Sequence, residues 1–261
     1  MGNTISMARI ALITPTGARP AQIQLCAKWM RNQTYGGGVV WVIVDDALPR
    51  STDFISADFR PNWDICKVYP LPPWQLGQNT QARNIAAGLN ALFEAYNADE
   101  ITAIFIIEDD DYYSPRYLQR MTGYAGIADL WGEQCTVYYN VTSRHWLRNM
   151  NRFHSSLFQT AFTPAAVPWL EQCWGEKYID CRFFHLVPRK HLFMDDDLAV
   201  GIKGQAGRYG IGMGHQHLMS YKHDPLGVAL YDLIGDDVKH YIHDWDNSII
   251  PNARAAGYGI Q

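Results

Sequence analysis

The sequence predicts an α/β fold in which a mostly parallel sheet is flanked by helices. Three observations lead there. Short runs rich in β-branched residues, at 8–14, 39–44 and 104–107, are apolar without alternation, the mark of strands buried on both faces of a parallel sheet. Segments with helical spacing lie between them, and strand-helix-strand order implies right-handed parallel crossovers. Finally, the runs end abruptly in polar turns, at Thr14-Pro-Thr16, Asp45-Asp46 and Glu108 to Asp111. Open α/β sheets bind their ligands at such carboxyl ends.

The elements follow in order. Residues 8–14 form the first strand and 15–20, Pro-Thr-Gly-Ala-Arg-Pro, a turn. Pro20 suits the first position of a helix with Ile23, Leu25, Cys26 and Met30 as its apolar positions. Three glycines at 36–38 break the chain before the second strand, 39–44. A third, shorter strand covers 65–69, and a Pro-rich loop covers 71–74. Asn79 or Thr80 caps a helix that runs to about Tyr96, with Ala82, Ile85, Ala86, Leu89 and Leu92 on one face. The strand ending in the acidic run is next, followed by a helix from Pro115 to about Leu130 and a strand at 134–139. Beyond about Asn140 the alternation weakens: a helix near 167–175, a mixed stretch at 177–193 and a Gly-rich segment at 200–215. The organisation expected is a single domain, 1–261, with a doubly wound half at 1–140 and an irregular half at 141–261.

Composition bounds the rest. With 48% hydrophobic and 18% charged residues, the 261-residue chain is globular rather than disordered. The formal charge of −4 and the lack of a polybasic tail give no overall nucleic-acid signature. One local basic cluster stands out: Arg144, Arg148 and Arg152 around His145 and His154, with Trp146 and Phe153 interleaved. Five scattered cysteines without a Cys-x-x-Cys pair argue against a disulfide framework or a zinc knuckle and fit a reducing cytoplasm. Neither a secretory leader nor an apolar run of membrane-spanning length is seen, so a soluble cytoplasmic protein without membrane contact is expected.

The acidic run carries the chemistry. Four carboxylates, Glu108, Asp109, Asp110 and Asp111, directly after a buried strand repel one another unless a cation sits among them. Oxygen-only ligands select a hard divalent ion, Mg²⁺ or Mn²⁺, and such ions bridge to phosphates.

Four motifs in order, Thr14-Pro-Thr16 with Arg19, Val42-Ile-Val-Asp-Asp46, Gly77-Gln-Asn-Thr-Gln-Ala-Arg-Asn84, and Phe105-Ile-Ile-Glu-Asp-Asp-Asp111 with Pro115, resemble those of the GT-A fold glycosyltransferases. The likeness is to the large inverting family typified by cellulose- and chitin-type synthases, and it covers roughly residues 8–120. It implies that 1–140 binds a nucleotide-sugar, most simply a UDP-sugar, and that 141–261 binds the acceptor. By motif position the metal pair is Asp109 with Asp111, or Glu108 with Asp110, since all four residues are acidic. Asp109 and Asp110 border the diphosphate. Asp45, with Asp46 as the alternative, is implied to accept a hydrogen bond from the nucleobase. Arg83 sits near the diphosphate or the motif carboxylates. Thr14 and Pro15 line the nucleotide cleft, and Arg19 reaches a phosphate.

The second half must supply the base that takes the acceptor hydroxyl's proton. Asp180 is preferred and Glu176 second, since Glu176 to Asp180 resembles the acidic start of the acceptor-side helix in inverting relatives. Asp195 to Asp197 is a further acidic run, readable as a loop or a second cation site. The Gly-rich segment lacks the phosphate-loop spacing and reads as a loop folding over the donor, bringing Lys203 and Arg208 to the diphosphate. His215, or else His217, is the expected third metal ligand. A nucleotidyltransferase is disfavoured because the turn after the first strand is poor in glycine. A sugar-nucleotide-binding module without catalysis is the other alternative. For the acceptor, one class is a hydroxymethylated pyrimidine in DNA, the substrate of bacteriophage transferases of similar appearance; the basic cluster would hold a flipped base. Glycans, proteins and small molecules are the others.

Overall fold

The computed structural model describes residues 9–195, 198–207 and 221–260. Strand β1 (Arg9–Thr16) leads into helix α1 (Pro20–Arg31), with proline in its first turn, and β2 (Gly38–Asp45) and β3 (Trp63–Val68) follow. Helix α2 (Gln81–Ala95) precedes β4 (Ile101–Ile106), the strand that delivers the acidic run. Then come β5 (Tyr112–Tyr113), α3 (Tyr117–Thr122), β6 (Leu130–Glu133), β7 (Cys135–Asn140), β8 (His145–Met150) and β9 (Thr160–Phe162). The chain continues through α4 (Val167–Glu171), α5 (Ile179–Leu186), β10 (Lys190–Phe193), β11 (Ala199–Lys203), β12 (Lys222–His223), α6 (Val228–Ile234) and α7 (Ile250–Ala255).

The central sheet has the order β10-β6-β9-β4-β1-β2-β3. Its β3-β2-β1-β4 part is entirely parallel, and β9 is the strand that runs against its neighbours. Chain order reverses between β1 and β4, and the crevice outside the carboxyl ends at such a reversal is where α/β sheets place a ligand. Both faces are covered, which explains the unbroken apolar runs. Along β1, Ile10 and Leu12 join the core shared with α1, whereas Ala11 and Ile13 join the core under α2, as the two-residue period of a strand requires. Gly88 lets α2 settle on the sheet: a Cβ there would lie 2.7 Å from Ile13 Cγ2 and 3.1 Å from Val44 Cγ2.

The structure departs from the sequence reading in several elements. The helix expected over 115–130 is only the six residues of α3; Gly123 follows it, and Leu130 already opens β6. Helix propensity is weak across Gly123 and Gly126, while β6 gains two neighbours in the central sheet. The strand at 134–139 forms, as β7, but in a second sheet of order β12-β8-β7-β11-β5 rather than in the doubly wound one. The Gly-rich segment begins as strand β11, which pairs in parallel with β7. Two alternating strand faces suffice to bury it, so its glycines do not make a loop before Gly204. No helix among the described residues is long and apolar enough to cross a membrane.

Candidate active site

The ends of β1 and β4 meet at the reversal point, and the carboxylates of the acidic run divide there between two sets of partners. Asp109 turns toward β1: Thr16 Oγ1 donates to its Oδ2 at 2.5 Å, and the Arg19 guanidinium pairs with it. Arg19 also reaches Asp110 Oδ2 at 3.1 Å. Asp111 turns toward β11, accepting from the Ile202 amide at 2.9 Å and from Lys203 Nζ at 2.8 Å, both at Oδ1. Glu108 accepts from Gln81 Nε2 at 2.9 Å, and its own amide donates to Tyr113 Oη at 2.8 Å. Lys203 is thus not on a loop. The second sheet carries it, buried, into the end of the first.

Like charges crowd this strand end: Glu108, Asp109, Asp110 and Asp111 stand together, with Arg19 paired to Asp109 and Asp110 and Lys203 to Asp111. Burial is the main reason that the Glu108 carboxyl is pushed up to about 7, with Asp110 adding to it against the opposing pull of Lys203 and Arg19. Asp111 lies well above its ordinary range, first through burial, with Asp110 and Glu108 adding and Lys203 opposing. The same carboxylates raise Arg19 and Lys203 against the opposing cost of burial, so both stay charged. The residues fit a metal. One oxygen each of Glu108, Asp110 and Asp111 lies within 4.8 Å of the others, and the buried Asp111 Oδ2 has no hydrogen-bond partner among the described residues. Asp109, held by Thr16 and Arg19, is not in this trio, which holds Glu108 and Asp110 of one register and Asp111 of the other. His215 and its alternative His217, Arg208, and Asp196 and Asp197 lie outside the described residues.

The aspartates ending β2 face inward. Asp45 is fully buried, accepting from Ala47 N at 3.3 Å, Ser51 N at 2.6 Å and Thr52 Oγ1 at 3.1 Å. It closes the loop after β2, with two donors on Oδ2 and one on Oδ1. Asp46 is equally buried and gathers the start of α2: Asn84 Nδ2 donates at 2.7 Å, Arg83 NH2 at 3.1 Å, and Thr80 Oγ1 also donates. Thr80 therefore spends its hydroxyl on Asp46 instead of capping α2. Arg83 completes its contacts with the Pro72 carbonyl at 2.9 Å and so joins β2, α2 and the Pro-rich loop rather than the acidic run. Gly17 is required beside this cluster, since a Cβ there would strike Asp46 Oδ1. Thr14 accepts from Trp41 Nε1 at 2.9 Å inside the sheet, and Pro15 is buried in β1.

On the acceptor side the two candidates separate. Asp180 stands in the first turn of α5 and is part-buried; burial raises its carboxyl, against opposing backbone hydrogen bonds and His154. Its charge adds to the upward shifts of Glu108 and Tyr138, and its carboxylate stands within 4.8 Å of ligand atoms of His154 and Cys181. Glu176 is exposed and pairs with Arg182 at 3.8 Å. Asp195 is held by Arg120 at 2.7 Å and by Arg116 at 3.9 Å. The basic cluster is divided. Arg144 gives its carbonyl to the Asp224 amide at 2.7 Å, Arg148 donates to Cys135 Sγ at 3.6 Å, and Trp146 is buried. Arg152, Phe153 and His154 line a cavity of their own. Thr16, Gln81 and Gln205, whose amide donates to the Asp110 carbonyl at 2.7 Å, are site residues that sequence reasoning missed. Thr16 had a signal, as a hydroxyl at the strand end; the two glutamines had none.

No family model and no curated protein sequence matches this chain. Solved structures do. TarS 1–349 of S. aureus in complex with UDP is 13% identical with a TM-score of 0.55, over 75% of this chain and 60% of that one. The same protein with UDP-GlcNAc gives 14% and 0.54, over 81% and 62%, and a longer TarS structure gives 12% and 0.52, over 75% and 37%. This chain therefore spans about two fifths to three fifths of the structures it resembles. The likeness shows the fold: a mixed α/β architecture with a mostly parallel central sheet, shared with a glycosyltransferase.

Proposed function

We propose that this chain is a glycosyltransferase that takes a sugar from a UDP-sugar and passes it, with inversion, to an acceptor hydroxyl. The observation that carries the reading is the close-set Glu108, Asp110 and Asp111 trio at the reversal point of a sheet arranged like that of a protein crystallised with UDP and UDP-GlcNAc. Glu108, Asp110 and Asp111 would hold Mn²⁺ or Mg²⁺. A divalent ion there neutralises charge on the departing diphosphate.

The chain's own residues divide the remaining work. Thr16 and Arg19 fix Asp109, and Lys203 fixes Asp111, so the carboxylates keep their places without a mobile side chain. Preorganised charge of this kind costs no rearrangement when the bond breaks. Asp46 and Arg83 hold the start of α2 against β2 and thereby place Gln81 beside Glu108. Asp180 is the base: it takes the proton as the acceptor oxygen bonds to the anomeric carbon, while the bond from that carbon to the diphosphate oxygen breaks and UDP leaves. Its raised pKa favours the role, because a base closer to neutrality drives proton transfer better.

A hydroxymethylated pyrimidine in DNA is the macromolecular acceptor that one observation favours: Arg152, Phe153 and His154 line the cavity next to Asp180. Salt-sensitive binding to duplex DNA tests it, and absence of binding at low salt counts against it. The donor reading is tested by UDP release from UDP-glucose and UDP-GlcNAc with Mn²⁺. Release that stops with EDTA supports it; no release, together with no Mn²⁺-dependent thermal shift, removes it.

A further inference from the structure

A cavity of about 530 Å³ adjoins Asp180. Its walls include Arg152, Phe153, His154, His185, Lys190 and Leu192, and among the described residues no Asp or Glu lines it. That is a basic hollow in a chain whose formal charge is −4. The connection to the base is short: ligand atoms of His154 and Cys181, both cavity residues, lie within 4.8 Å of an Asp180 carboxylate oxygen. An acceptor with its hydroxyl on Asp180 therefore has its remaining atoms beside these walls. Phe153 is 81% exposed. A ring of that size standing in water offers a stacking face. Lys190 gives one hydrogen to the Phe184 carbonyl at 2.6 Å, which anchors the ammonium and leaves two donors for a ligand. Arg152 is exposed and brings the planar fork that matches phosphate oxygens.

We propose that this cavity is the acceptor subsite and that it takes a phosphorylated ring, with the phosphate on Arg152 and Lys190 and the ring on Phe153. The proposal rests on the reading of Asp180 as the base. A nucleotide and a sugar phosphate share this chemistry, and matched pairs separate them.

Binding is measured calorimetrically in EDTA and low salt for thymidine 5′-monophosphate against thymidine, and for glucose 6-phosphate against glucose. The phosphorylated member of at least one pair binds about tenfold more tightly, the effect of one charge-assisted hydrogen bond at a partly exposed site. The pair with the larger preference names the source. Arg152→Ala removes that preference, and Phe153→Ala weakens both members of the pair. Equal binding of phosphorylated and neutral members in both pairs overturns the proposal, as does a preference that survives Arg152→Ala with Lys190→Gln. Titration of the wild-type protein with UDP and Mn²⁺ is run alongside. Failure of the pairs with UDP bound overturns the subsite alone, and failure of UDP to bind overturns the donor reading beneath it.

Discussion

Replacing Glu108 by Gln makes the metal-free protein more stable at pH 8. The Glu108 carboxyl is raised from 4.5 to about 7, first by burial and then by Asp110. A carboxyl whose folded-state value exceeds its unfolded value holds its proton more tightly when folded. Stability therefore falls as pH climbs from 4.5 to about 7, and the whole loss is present above that. At about 1.4 kcal/mol per unit, the penalty at pH 8 is at most about 3 kcal/mol. For a chain of this length that is a Tm rise of roughly 5–10 °C for E108Q over wild type. Thermal unfolding monitored by circular dichroism in EDTA, from about pH 3.5 to pH 8, reads it directly. The two curves converge only below about pH 4, where wild-type Glu108 is protonated in both states. With Mn²⁺ the order narrows or reverses, because wild type gains the ion and E108Q has lost a ligand. Wild-type Mn²⁺ affinity falls about tenfold per pH unit below 7 if one proton competes. An E108Q protein no more stable than wild type at pH 8 without metal, or one equally stabilised by Mn²⁺, refutes the cost of burying Glu108 beside Asp110 on which the site rests.

Asp180→Asn lowers transfer by about 10²- to 10⁴-fold, the usual worth of a positioned base, while UDP and Mn²⁺ binding by calorimetry stays at the wild-type value; Glu176→Gln changes transfer less than threefold on the order-of-magnitude scale of an exposed ion pair. Asp46→Ala costs about 3 kcal/mol in chemical denaturation, since Asn84 and Thr80 lose a buried carboxylate partner; a cost below about 1 kcal/mol would say the cluster is ornamental. Gly88→Ala destabilises by about 1–3 kcal/mol in the same assay through contact with Ile13 and Val44, and a stabilised variant would show that α2 is free to shift.

What the sequence disclosed was local. Strands β1, β2 and β4 and helices α1 and α2 announce themselves because periodicity, proline at a helix start and apolar runs are all written within a few residues. The same holds for the acidic run, whose position after a buried strand is legible as a ligand site. Pairing across long separations was not. Thr16 meets Asp109 across 93 residues and Lys203 meets Asp111 across 92, and nothing local joins them. Lys203 looked like part of a glycine-rich loop, although Ala-Val-Gly-Ile before it is also a passable strand. The resemblance implied a nucleobase role for Asp45 or Asp46; the contacts of Asp45 with Ser51 and Thr52 lie six and seven residues on and had no signal in the motif itself. Tyr112 and Tyr113, directly after the acids, continue as β5 in the second sheet, so the run lies between two sheets and its four carboxylates split toward both.

The most direct test is a crystal structure of this chain with UDP and Mn²⁺. The account predicts Mn²⁺ on oxygens of Glu108, Asp110 or Asp111, with the diphosphate beside it at the ends of β1 and β4 and Asp109 still held by Thr16 and Arg19. UDP bound elsewhere, or a diphosphate placed there with Lys203 and Arg19 but no ion on any of the three carboxylates, contradicts it.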